Sequence, residues 1–287
     1  MCDDDIHQGL VHDPTVSRRA FGLMTVAAAG VATTAGAAQP AVVEKDVELR
    51  TPDGTCDGAL YHPEAAGRHP AVVIWPDIMG LRPVFREMGR RLASQGYVVL
   101  VPNPFYRSRR APVVEGAFNF NNPADRAKVM ALRQALTDEG VDRDSVAFVA
   151  FLDAQPQTDR ARKVGVQGYC MGGPLSFRTA AAVPARIGAV ASFHGGGLVT
   201  DQPSSPHRLV SRTNAAYLVA VARNDDASQP TAKEVLKATF AQAGKKAVVE
   251  VYPANHGWCV RGSEVYDEAA AEKAWAELTA LYKANLV

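Results

Sequence analysis

The sequence predicts an α/β chain: a doubly wound, mostly parallel sheet of about eight strands, opened by an antiparallel hairpin. Three observations carry this. Unbroken apolar runs such as Ala71-Val-Val-Ile-Trp75 read as strands buried on both faces, the pattern of a parallel sheet. Stretches of helical period alternate with these runs from Val84 onward. One β-branched run, Val164 to Gly168, passes through a glycine-rich joint straight into a helix-like stretch, Pro174 to Ala182.

In chain order, Asp46 to Tyr61 reads as a hairpin turning at Pro52-Asp-Gly54. His62 to Pro70 is a loop, and Ala71 to Trp75 a strand. A helix over 84–95 places Val84, Met88 and Leu92 on one face and stops at Gly96. Tyr97 to Pro102 is the next strand, followed by an irregular excursion from Arg107 to Asn122. Helices are predicted over 124–138 and 143–154. Strand 164–168, the joint and its helix come next, then strands 188–193, 216–222 and 247–252. A helix over 231–243 separates the last two, and a closing helix near 266–284 shares one face among Trp275, Leu278 and Tyr282. No repeat or linker interrupts the body, so residues 38–287 are expected to form one domain.

The N-terminus reads differently. Ser17-Arg-Arg-Ala-Phe-Gly-Leu-Met24 leads into an apolar, alanine-rich stretch and a small-residue pattern ending at Ala37 or Ala38. This is the form of a signal peptide, and the paired arginines match the twin-arginine type. Residues 1–37 are therefore expected to be removed, with the twin-arginine machinery as export partner and a periplasmic or secreted location. The apolar stretch is too short for stable membrane insertion. Three cysteines would remain, Cys56, Cys170 and Cys259. A disulfide between Cys170 and Cys259 would abolish the chemistry described next. A net charge of +1 gives no reason to invoke nucleic acid or an anionic membrane surface. Histidine and cysteine spacing suggests no metal site.

The joint itself is Gly168-Tyr-Cys-Met-Gly172, a G-x-nucleophile-x-G elbow with cysteine in the nucleophile position, as in α/β-hydrolases. A side chain at either glycine would strike neighbouring backbone. The elbow also aims Cys170 at a helix N-terminus, whose positive dipole end favours thiolate. In this fold the partners follow as acid, then histidine. Asp225 closes the strand 216–222 and His256 the strand 247–252, so the predicted triad is Cys170, Asp225 and His256, with Asp226 read as a cap. His194-Gly-Gly-Gly197 imitates a lipase oxyanion motif but follows the nucleophile instead of preceding it; His194 is kept as a pocket candidate by its place at a strand end.

Taken together, Pro70-Ala-Val-Val-Ile-Trp-Pro-Asp-Ile-Met-Gly-Leu81, Gly96 to Asn103, Gly168 to Gly173, Asp225 and His256-Gly-Trp258 resemble the dienelactone hydrolase family. The resemblance runs from about Val47 to the C-terminus. It implies a compact α/β-hydrolase without lid domain or cofactor, acting on enol-lactones or related esters through a Cys-His-Asp triad. It also implies an oxyanion hole from the Ile78 and Met171 amides. The family's carboxylate that governs thiol activation is Glu; here Asp77 stands in its place, one methylene shorter. Family members with dienelactone activity hold the substrate carboxylate with arginines. Arg261 is the candidate after His256, and Arg126 or Arg133 the upstream one. Tyr106 and Trp258 flank the site loops and are expected to line its pocket, with Trp75 and Phe105 beside them.

The expected function is hydrolysis of an enol-lactone or activated carboxylic ester through a thioester acyl-enzyme, by a monomer or dimer. The alternatives are a broad carboxylesterase or thioesterase, and an exported binding protein that keeps the fold without catalysis.

Overall fold

The structure, a computed structural model, describes Val11–His12 and residues 40–287, so most of the predicted signal peptide lies outside the described residues. The elements are β1 (Val11–His12), β2 (Val42–Thr51), β3 (Gly54–Pro63), β4 (Ala71–Trp75), α1 (Pro83–Ala93), β5 (Val98–Pro102) and β6 (Phe118–Asn119). Then come α2 (Pro123–Gln134), α3 (Asp138–Asp153), β7 (Val164–Tyr169), α4 (Gly172–Ala182), β8 (Ile187–Phe193) and α5 (Pro206–Leu209). The chain closes with β9 (Ala216–Ala222), α6 (Arg223–Ser228), α7 (Ala232–Gln242), β10 (Ala247–Tyr252) and α8 (Glu268–Asn285).

Eight strands form one sheet in the order β10-β9-β8-β7-β4-β5-β3-β2. The hairpin β2–β3 and the pair β3–β5 are antiparallel, and the rest are parallel. Strand β4 is flanked by β5 on one side and β7 on the other, so successive crossovers leave it in opposite directions. That reversal opens a crevice beyond the C-terminal ends of β4 and β7, where sheets of this kind bind ligands. Both strands are buried along their whole length, as their unbroken apolar runs predict.

Helices cover both faces. One core gathers Trp75, Phe148, Phe177, Tyr217 and Phe240 beneath α3, α4 and α7. The other gathers Tyr61, Phe85, Tyr169, Phe193, Trp275 and Tyr282 beneath α1 and α8. Alternation along β7 divides its side chains between them: Val164 and Val166 go to the first core, Tyr169 to the second, and Cys170, on the turn just past the strand, joins the first. On the second face Gln167 donates to the Tyr169 hydroxyl at 2.7 Å and accepts from the Tyr282 hydroxyl at 3.0 Å, so the one amide in mid-strand is satisfied.

The predicted elements are present with shifted ends. The helix expected over 124–138 stops at Gln134, and the one expected from 143 starts at Asp138. Thr137 is the reason: its hydroxyl accepts from the Gly140 amide at 3.1 Å, which makes it an N-cap and places Asp138 and Glu139 in the acidic first turn that a helix dipole favours. Arg223 to Asp226, read from the sequence only as the segment that follows the strand 216–222, opens the short helix α6.

Candidate active site

Cys170 stands on the turn between β7 and α4 in the left-handed region, with φ of 52°. Its own amide donates to Phe193 O at 3.0 Å, and its carbonyl accepts from Gly173 N at 3.0 Å. The two flanking glycines are sterically obligatory. A Cβ at Gly168 would lie 1.8 Å from the Gly172 oxygen, and one at Gly172 would lie 2.3 Å from the Trp75 oxygen. This second contact presses the elbow against the end of β4. Met171 and the loop after Trp75 are brought together by it.

The acid and the histidine converge from β9 and β10. His256 Nδ1 lies 2.8 Å from Asp225 Oδ2, and the His256 amide donates to Asn224 Oδ1 at 2.8 Å. Adjacent residues of α6 thus hold both the ring and the backbone of His256. Asp226 turns away to Lys233, with both oxygens at 2.7 Å. The remaining nitrogen, His256 Nε2, is buried and has no hydrogen bond of regular geometry; its neighbour Cys170 acts on it chiefly through charge, with a side-chain contact adding to it. Burial opposes protonation of the imidazole. Cys170 and then the Asp225 bond outweigh it and push the His256 pKa up to about 10.

Among the described residues, neither the Ile78 nor the Met171 amide donates to an acceptor. Two free amides beside a nucleophile elbow are the components of an oxyanion hole. Asp77 is fully buried, and its carboxylate belongs to Arg82: Nη1 donates to Oδ1 at 2.6 Å and Nη2 to Oδ2 at 2.8 Å, and the Met79 amide adds a bond at 3.0 Å. Both oxygens are thereby committed to the loop that carries Ile78. Arg82 itself is only 7% exposed.

The other predicted site residues separate. His194 is fully buried with φ of 40°, and its ring stands edge-on to His256 at 4.6 Å and to Trp258 at 5.2 Å. Burial, with His256 adding to it, holds its pKa well below the ordinary imidazole value. It is a neutral packing partner of His256, and both of its ring nitrogens are buried without a hydrogen-bond partner. Trp258 is likewise fully buried, stacked on Tyr252 at 5.0 Å. Tyr106 donates to Asp144 at 2.7 Å and lies 2.6 Å from the Thr51 hydroxyl, so its polar end serves the join between hairpin and α3. Trp75 and Phe105 are core residues. Arg133 caps its helix by donating to the Leu136 oxygen at 3.1 Å, and Arg126 is half-buried on α2. Arg261 is exposed and lines a cavity of about 380 Å³ between α1 and α8 that contains none of the predicted triad. Cys56, Cys170 and Cys259 are free thiols. Among the described residues, no group of three or more histidine, cysteine or acidic side chains is placed to hold a metal, and no helix is long and apolar enough to cross a membrane. Sequence reasoning missed Asn224, whose signal was its place before Asp225, and Arg82, whose role needs the loop's three-dimensional path.

The sheet order, the covered faces and the left-handed elbow define an α/β-hydrolase. The profile of the dienelactone hydrolase family matches residues 56–286, and the chain belongs to that family, a hydrolase acting on esters or lactones. Among similar proteins, a carboxymethylenebutenolidase of a Pseudomonas species is 28% identical over 227 residues, covering 79% of this chain and 89% of its own. Carboxymethylenebutenolidase 1 of Cupriavidus pinatubonensis is 27% identical over 240 residues, covering 83% and 97%. Among solved structures, a dienelactone hydrolase-like promiscuous phosphotriesterase from metagenomic libraries superposes with a TM-score of 0.68 at 22% identity, covering 85% of this chain and 99% of that one. At that identity the likeness speaks for the fold.

Proposed function

We propose that this protein hydrolyses enol-lactones or similarly activated carboxylic esters through a thioester acyl-enzyme on Cys170. One observation carries the reading: a left-handed cysteine elbow faces His256, whose other nitrogen is held 2.8 Å from Asp225. His256 takes the thiol proton, and Asp225 fixes the imidazole's tautomer and balances its charge. The thiolate sulfur then bonds to the substrate carbonyl carbon. The carbonyl oxygen becomes an oxyanion facing the Ile78 and Met171 amides. The C–O bond to the leaving group breaks, the enol oxygen takes the proton from His256, and the acyl group stays on sulfur. Water, giving a proton to His256, attacks the thioester, and the carboxylate leaves as the thiol is restored.

Leaving-group chemistry sets the substrate class. A thiolate leaves more readily than an alkoxide, so the tetrahedral adduct of a simple alkyl ester reverts. An enolate leaves easily and lets the adduct move forward. The names of the carboxymethylenebutenolidase relatives agree with this class. Export through the twin-arginine route, resting on Arg18, Arg19 and the alanine-rich stretch after them, is part of the same proposal.

The test is turnover of an enol-lactone and a p-nitrophenyl ester by the purified protein and by its Cys170→Ala variant, with intact-mass detection of the acylated enzyme. Loss of turnover and of the acyl adduct in the variant is the expected result. Full turnover by Cys170→Ala would overturn it.

A further inference from the structure

Arg261, the arginine that the family resemblance assigns to the substrate carboxylate, lines a different cavity, one of about 380 Å³. That volume falls in the range of small-molecule sites, roughly 300–1,000 Å³. It is lined by Tyr169 and Phe193, the last residues of β7 and β8, by Cys259 from the turns after β10, and by Trp275 of α8. Cys170, His256 and Asp225 take no part in it. Tyr169 ends β7 and Cys170 is the next residue, on the left-handed turn, yet the two side chains belong to different cores.

The rim carries three guanidinium groups, and two are already committed. Arg91 grips Glu272 through both of its terminal nitrogens, at 2.7 Å on one side, and lies 4.3 Å over the Trp275 ring. Arg90 is paired with Glu44. Among the described residues, Arg261 has no carboxylate at ion-pair distance. It is held by Tyr266, whose ring lies 5.7 Å from the guanidinium, with Glu87 and Glu268 as more distant charges. An exposed guanidinium pre-oriented against a ring presents its donor fork to an incoming carboxylate, which can pair with it bidentately. Behind that fork the cavity offers aromatic faces and a buried thiol. Burial pushes the Cys259 thiol well up from its ordinary range, so it is present as an apolar SH and not as a nucleophile.

We propose that this cavity is a second, non-catalytic binding site for a small aromatic monocarboxylate. Its carboxylate pairs with Arg261, and its ring system lies against Trp275, Tyr169 and Phe193. Bound there, the ligand meets none of Cys170, His256 and Asp225 and is not turned over.

The probes are 2-naphthoate and its neutral counterpart 2-naphthylmethanol, titrated calorimetrically into the whole protein. Naphthoate is expected to bind one per chain. Arg261→Gln should weaken it roughly ten- to a hundredfold, the scale of a lost charge-assisted pair, and leave the neutral probe unchanged. Ala271→Trp, filling the cavity from the partly buried first turn of α8, should remove both. Cys170→Ala should bind naphthoate as the unmodified protein does, which keeps this result independent of the catalytic proposal. No naphthoate binding, or binding indifferent to Arg261→Gln, overturns the site. So does loss of binding in Cys170→Ala.

Discussion

Replacing Asp77 with asparagine separates two roles for this residue, holding Arg82 in the loop after β4 and acting on the Cys170 thiol. Both Asp77 oxygens are bound by Arg82, at 2.6 and 2.8 Å, and the pair is 0% and 7% exposed. Removing one partner of such a pair leaves a buried charge uncompensated, which costs roughly 3–5 kcal/mol. Asparagine retains an oxygen for the Met79 amide, and Arg82 keeps a long contact of 3.4 Å to the Gly80 oxygen, so the lower end applies. About 3 kcal/mol corresponds to a fall in Tm of about 6–12 °C for a domain of this size. Arg82→Met added to Asp77→Asn removes both charges and should recover most of that loss. Urea and thermal unfolding of the single and double variants, each paired with ester turnover, provide the measurement. If Asp77→Asn melted like the parent protein, lost turnover more than a hundredfold and was not rescued by Arg82→Met, the carboxylate would be acting on the thiol and the argument from Arg82 would be wrong.

Other outcomes follow from the same geometry. Asp225→Asn should lower kcat/KM by roughly 10³–10⁴-fold, as loss of the tautomer-fixing acid does in other triads, while Asp226→Ala, which frees only Lys233, should leave kinetics unchanged and cost at most about 1 kcal/mol. His256 is raised from 6.5 to about 10, so the stability its proton contributes is full below about pH 6.5 and is lost as pH rises through about 10. Cys170→Ala removes the strongest support for that proton, and NMR titration of the His256 ring should show its pKa fall; an unmoved value would contradict the pairing. Gly168→Ala places a methyl 1.8 Å from a backbone oxygen and should yield no folded protein by circular dichroism.

The fold was legible because its signals are local. Unbroken apolar runs, helical spacing and a glycine-bounded elbow are each contained within a few residues, and the order Cys170, Asp225, His256 needs only strand ends. Choosing Asp225 over Asp226 agrees with the hydrogen bond to His256 and the diversion of Asp226 to Lys233. What was illegible depends on which face a side chain takes. Trp258 and Tyr106 are near the site in sequence, yet their rings pack inward. His194 was readable as a strand-end residue, but its left-handed backbone, which turns the ring under His256, has no signature in composition. Arg261 lies five residues past His256 and still faces a cavity that contains none of Cys170, Asp225 and His256, because the chain turns back toward α8 within that interval.

The left-handed backbone at Cys170 also limits what can ever occupy the position. With φ at 52°, a side chain with a single heavy atom on Cβ is tolerated, whereas a second branch there crowds the main chain. Serine meets that condition and threonine does not. The scaffold can therefore exchange sulfur for oxygen by one substitution without rebuilding the turn, but a secondary alcohol is closed to it. The range of chemistries open to descendants of this chain is set at the elbow by stereochemistry before reactivity enters.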